Sequence, residues 1–166
     1  MLTKIKHYSK EIFFLFIFII LTTNIISLYK SQSLNKERLI LSTHKLIDTS
    51  HYVVETDKPL LVHIWATWCP ICQAEADNIE RLSHYYNVIT IAVNSGTDYE
   101  IQNYLNKRGF TFKVINDKNS SLSKKLNVTN FPTTFIYDKK KKLVFSEVGY
   151  TSSFGLWLRM LWAGIQ

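Results

Sequence analysis

Cys69 and Cys72 are the only two cysteines in the 166-residue chain, with Pro70 and Ile71 between them. A disulfide joining them closes too short a loop to constrain the unfolded chain much, and a structural framework spreads more cysteines along a sequence. Stability is therefore a poor reason for the pair, and reactivity a better one. Two thiols so close suit thiol–disulfide exchange, in which a thiolate attacks a disulfide sulfur and passes through a mixed disulfide. The competing chemistry is metal binding, with both sulfurs and a histidine holding copper or zinc. A structural zinc site takes four ligands, commonly from a second Cys/His pair at similar spacing. No such pair exists, and His44, His51 and His84 are scattered along the chain. The metal-binding module stays as the alternative from a different class, and no metal or cofactor is assigned.

The elements needed to position the pair are legible around it. Asp57-Lys58-Pro59 reads as a turn, and the apolar run Leu60–Trp65 after it as a strand buried on both faces. Behind the cysteines, Ile71, Glu75, Ile79, Leu82 and Tyr86 recur at helical spacing, which predicts a helix over 70–86. Residues 88–93 read as a second buried strand. Asp98 suits the N-cap of a further helix through Ile101, Tyr104 and Leu105, stopped by Gly109. A strand at 112–115, a short helix at 120–126, strands at 133–137 and 143–148, and a helix over 151–162 complete the pattern. Residues 45–57 hold only weak, strand-like stretches. This order predicts an α/β sandwich: parallel strands with crossover helices, finished by an antiparallel pair. The run Lys139–Lys142 between the last two strands reads as a solvated hairpin tip.

The amino terminus reads as an address. Residues 12–29 are apolar apart from Thr22, Thr23, Asn24 and Ser27, and Lys4, Lys6 and Lys10 precede them. At 1.5 Å per residue the segment reaches roughly 27 Å, just enough to cross a ~30 Å hydrocarbon core. The flanking lysines put residues 1–11 in the cytoplasm and the remainder outside. No Ala-x-Ala cleavage site follows, so an uncleaved anchor is preferred to a cleaved signal peptide. The expected organisation is a basic segment at 1–11, a single transmembrane span at 12–29, a tether at 30–44 and one domain over 45–166. The location expected is the bacterial inner membrane, with the domain on the periplasmic or extracytoplasmic side. Formal charge is +7, but +3 of it lies in residues 1–30. The rest lacks the arginine clusters and basic-aromatic stripes of a nucleic-acid binder.

Trp65-Ala-Thr-Trp-Cys-Pro-Ile-Cys72 between strand and helix, with Phe131-Pro-Thr-Thr-Phe135 entering a strand some sixty residues on, resembles the thioredoxin superfamily. In detail it is similar to the membrane-anchored, extracytoplasmic TlpA-like branch, which includes the ScsD-like oxidoreductases. That branch carries an extra strand–helix region, and residues 94–116 have the right size for it. The resemblance implies a thioredoxin-like sandwich with a central mixed sheet. It also implies that Cys69 attacks substrate disulfides and Cys72 resolves the intermediate. Pro132 is expected to be cis and to face the cysteines, with the Phe131 backbone pairing with an extended substrate segment. Trp68 is expected to shield the pair and Trp65 to pack in the core. Pro70 fits the first helical turn but removes one N–H from beside the Cys69 sulfur.

His63 departs from the family, in which a buried acid often stands six residues before the first cysteine. A neutral imidazole there accepts the Cys72 proton, a cationic one stabilises thiolate, and a core histidine does neither. Glu75 is a weaker candidate, because an exposed helix face explains it equally well. The activity expected is exchange with protein cysteines, leaning towards a reductase recharged by a membrane redox partner, with oxidase or isomerase as alternatives. The Gly-x-x-x-Glu motif of cytochrome c maturation thioredoxins is missing from residues 126–132, which counts against that role. A peroxiredoxin is excluded by spacing, because Thr67 lies two residues before Cys69 instead of three.

Overall fold

The computed structural model describes residues 10–15, 17, 18, 22, 25, 34, 43–55 and 57–166. The apolar segment 12–29 and the stretch 30–44 thus lie largely outside the described residues. Among those described, no helix is long and apolar enough to cross a membrane.

A short antiparallel hairpin, β1 (Thr43–Lys45) and β2 (His51–Val53), precedes the central sheet. Then come β3 (Leu60–Trp65), α1 (Pro70–Ser83), β4 (Asn87–Val93), α2 (Asp98–Arg108), β5 (Lys113–Asp117), α3 (Ser121–Lys125), β6 (Thr133–Tyr137), β7 (Leu143–Val148) and α4 (Ser153–Ile165). The five-stranded sheet runs β5-β4-β3-β6-β7, with β3, β4 and β5 parallel and β6 and β7 antiparallel to their neighbours. Thus β3, which leads into the cysteines, is central, and β6, which follows Pro132, lies beside it.

Side chains alternate across the strands and build two cores. Leu61 and Trp65 of β3 join Ala92 and Ile136 on one face, covered by α1, α2 and α4 through Ile79, Ile101 and Leu156. Leu60, Val62 and Ile64 join Ile89, Ile91 and Phe135 on the other, covered by Leu46 and Tyr52 of the hairpin and by Leu34, Leu126 and Val128. The weakly patterned residues 45–57 are therefore a lid on the second core. Tyr52 also donates to Asn87 Oδ1 at 2.8 Å, tying that lid to the start of β4.

Helix ends differ from expectation where local hydrogen bonds outweigh periodicity. The N-cap of α2 is Thr97, not Asp98: its hydroxyl accepts the Glu100 N–H, and the Glu100 carboxylate accepts the Thr97 N–H. That reciprocal box requires an acid three residues after the cap, which Thr97 has and Asp98 lacks. Gly109 ends α2 in the left-handed conformation, φ 70°. Helix α1 stops at Ser83, short of Tyr86, where the Tyr85 N–H closes a tighter three-residue turn on the Leu82 carbonyl. The lysine run is the β6–β7 turn, closed by Asp138, whose carboxylate accepts the Lys142 N–H at 2.8 Å.

Candidate active site

The end of β3 and the start of α1 place the cysteines. Cys69 is the N-cap of α1, with Pro70 at the first helical position, where a missing N–H costs no intrahelical bond. The Cys69 sulfur accepts the backbone N–H of Cys72 at 3.2 Å, so one free donor of the helix start points at it. The two cysteines form a disulfide, with Cα atoms 5.2 Å apart. Cys72 is the more buried, at 1% exposed against 6% for Cys69.

The Phe131–Pro132 peptide is cis, and the Phe131 carbonyl oxygen lies 3.7 Å from Cys69 Sγ. The proline loop thus meets the dithiol from across the sheet. Trp68 is exposed, stands edge-on to the Phe131 ring at 5.9 Å between centroids, and donates from Nε1 to the Asn94 carbonyl at 3.0 Å. Trp65 is buried between Tyr104 and Phe112. Ile71 is half exposed beside the pair, so Trp68, Ile71 and Phe131 form an apolar rim.

The loop before Cys69 is held by residues whose part the sequence did not reveal. Ser95 Oγ accepts the Thr67 N–H at 3.0 Å, and Gln73 Nε2 donates to the Thr67 carbonyl at 2.7 Å. Asn94 and Ser95 stand where β4 ends, with Asn94 at φ 45°. The available signal was the Asn-Ser-Gly cluster there, which marks a turn but not what it grips.

Two buried ionisable groups lie on the elements that carry the pair, His63 on β3 and Glu75 on α1. His63 faces the α1 side of the sheet in register with Thr90 and Thr134, and its Nδ1 is 2.9 Å from Thr134 Oγ1. Burial pushes its pKa down to about 3, which favours the neutral imidazole over the cationic reading. A base that weak is also a poor store for a thiol proton. His63 therefore supplies a fixed, hydrogen-bonded dipole in a polar row crossing an apolar face.

Glu75 corrects the expectation of an exposed helix acid, for it is fully buried. It lies three residues after Cys72 on the same buried stripe of α1, continuing to Ile79 and Leu82. Its Oε1 accepts the Thr151 N–H at 3.2 Å, while Oε2 has no partner among the described residues. Burial raises its pKa to about 8; the Thr151 N–H opposes this and the Glu147 charge adds to it. Glu75 is thus mostly protonated at neutral pH, yet close enough to its midpoint to exchange a proton.

His44 is half-buried and His51 and His84 are exposed. Among the described residues no group of three or more His, Cys, Asp or Glu could hold a metal ion.

Residues 34–154 match the Redoxin family. A thioredoxin-like protein of Haemophilus influenzae is 27% identical over 163 residues, covering 96% of this chain and 97% of the relative. The thiol-disulfide oxidoreductase ResA of Bacillus thuringiensis is 31% identical over 96 residues; the match covers 55% of this chain and 56% of ResA. Among solved structures, a secreted thiol-disulfide isomerase from Corynebacterium glutamicum shares the fold with a TM-score of 0.68 at 14% identity, over 80% of this chain and 86% of that one.

The raised pKa of Glu75 has a consequence for stability. An acid whose pKa rises from 4.5 to about 8 on folding binds more protons folded than unfolded between those values. Its stabilising contribution is whole below pH 4.5 and declines as pH rises towards 8. Glu75→Gln is neutral throughout, so its melting temperature, relative to wild type, should rise by several degrees between pH 5 and pH 8 in thermal denaturation. Parallel curves for the two proteins would show that folding does not raise the Glu75 pKa.

The fold, the Cys69–Cys72 pair and the match to most of its length agree: the chain belongs to the Redoxin family and is a thioredoxin-fold thiol–disulfide oxidoreductase with a redox dithiol.

Proposed function

We propose that the protein is a membrane-tethered, extracytoplasmic reductase of protein disulfides, with Cys69 as nucleophile and Cys72 as resolving thiol. One observation carries the assignment: the Cys69 sulfur caps α1 and takes the Cys72 N–H, while Cys72 itself is buried behind it. Donors and a helix dipole aimed at one sulfur favour thiolate there and not at its partner.

In the reduced form the Cys69 thiolate attacks a substrate disulfide, forming the mixed disulfide and expelling one substrate thiolate. Cys72 gives up its proton and attacks the Cys69 sulfur, expelling the second. The substrate leaves as a dithiol and Cys69–Cys72 as the disulfide. Glu75, through its ionised form, which is the minority at neutral pH and grows towards pH 8, takes up and returns the Cys72 proton. Trp68, Ile71 and Phe131 receive the substrate's apolar side chains, and the Phe131 backbone, against the cysteine, pairs with an extended substrate segment. Two electrons from a membrane redox partner regenerate the dithiol. Residues 12–29 anchor the chain, with residues 1–11 in the cytoplasm and the catalytic domain in the periplasm.

Cys69→Ser should abolish reduction of insulin disulfides, whereas Cys72→Ser should accumulate mixed disulfides through Cys69, visible on non-reducing gels. The reverse pattern would overturn the assignment of roles. Thiol trapping in intact cells reports the direction. A reductase keeps the pair mostly reduced, and a pair found mostly as disulfide would make the protein an oxidase.

A further inference from the structure

Helix α4 has two apolar faces. Leu156, Met160 and Ala163 lie fully buried on the sheet and α1. On the opposite side Phe154, Trp157, Leu158, Leu161, Trp162 and Ile165 are between 41% and 81% exposed. They recur at i, i+3, i+4, i+7, i+8 and i+11, which at 100° per residue makes a stripe about 140° wide. No charged residue interrupts it. Arg159, the helix's charged residue, lies outside the stripe and is held by Glu147 at 2.9 Å. A water-facing helix surface ordinarily carries charges, and an unbroken apolar one marks an interaction site. The stripe continues to the C-terminal end of α1, where Phe154 and Trp157 flank a groove of about 240 Å³ with Arg81, Leu82, Tyr85 and Tyr86.

Three observations say what covers it. The first is composition: two tryptophans, a phenylalanine and aliphatic side chains, bordered by tyrosines, match the headgroup boundary, where amphipathic aromatics are enriched. The second is reach. Leu34 is already packed on the sheet, on the face opposite α4, and residues 30–33 alone separate it from the apolar segment ending at residue 29, which keeps the whole domain close to that segment. Even fully extended, that link spans only about 18 Å. The third is orientation. Ser153 bonds to Asn78 midway along α1, and Gly164 lies against Pro59, just before β3. The stripe therefore occupies the half of the domain away from Cys69, with Leu82 roughly 20 Å along α1 from that residue.

We propose that the exposed face of α4 rests on the lipid bilayer, seated at headgroup depth and turning Cys69–Cys72 away from the membrane. This rests on the reading of residues 12–29 as an anchor, which holds the domain close to the lipid.

Full-length protein in phosphatidylcholine vesicles, with and without a nitroxide at a shallow acyl position, tests it through tryptophan fluorescence. The chain has four tryptophans, two of them near the cysteines. The expected result is strong quenching of the wild type and loss of most of it in the double variant Trp157→Phe/Trp162→Phe. Retention of insulin reductase activity by that variant shows that it folds. Unquenched wild type, or quenching that survives the double substitution, would overturn the proposal. Protection of both tryptophans by self-association, seen as concentration-dependent fluorescence indifferent to the nitroxide, would overturn it too. Resistance to alkaline carbonate extraction reports the anchor separately. Quenched but extractable protein would retire the anchor and keep the lipid-facing helix; resistant but unquenched protein would do the opposite.

Discussion

The Cys69 sulfur accepts the Cys72 N–H at the first turn of α1, and the surrounding elements serve to keep that 3.2 Å contact in place. It exists because a fully buried strand, β3, ends where a helix begins, leaving the cysteine as cap rather than as a helical residue. The loop between them is gripped by Ser95 and Gln73. Pro70 sets the backbone of the first helical position without sacrificing a bond. Across the sheet, the proline loop is fixed because β6 pairs with β3 from Thr133 onward. A substrate disulfide reaching Cys69 therefore meets a sulfur, a carbonyl and an aromatic rim whose positions are set by strand pairing.

The floor of the site is the less ordinary part. The core that holds the dithiol is otherwise apolar, running from Leu61 and Trp65 to Leu156 and Met160. Here His63 and Glu75 interrupt it, and burial acts on them in opposite senses. It keeps the imidazole a neutral dipole and the carboxyl a neutral acid, so the oxidised state buries no net charge from the two at neutral pH. Glu75 keeps one oxygen bonded to Thr151 and the other without a partner among the described residues, an arrangement that stability alone does not favour. A buried, half-bonded carboxyl one helical turn after Cys72 is a candidate for proton exchange with it.

Most of this architecture was legible in the sequence because two periods coincide with two chemistries. β3, β6 and β7 were read at their observed ends, since turn chemistry bounds them, Asp57-Lys58-Pro59 before β3 and Asp138–Lys142 between β6 and β7. The α2 cap was misplaced by one residue because Thr97 and Asp98 are both capable caps. The decisive partner, Glu100, acts through geometry rather than type. Glu75 was misread because an acid on a helix is ordinarily solvated. Yet it sits four residues before Ile79 and seven before Leu82, on the stripe that the same periodicity assigned to the core. The grip of Asn94 and Ser95 on the active-site loop is a tertiary fact, and nothing local to those residues announces it.

The central claim is an asymmetry between two thiols, and alkylation of the reduced protein with iodoacetamide across pH measures it directly. Mapping the adducts should show Cys69 modified alone, at a rate that levels off at lower pH than for an ordinary free thiol, while Cys72 stays protected. Preferential modification of Cys72, or a Cys69 rate still climbing through the ordinary thiol range of about pH 8–9, would contradict the account.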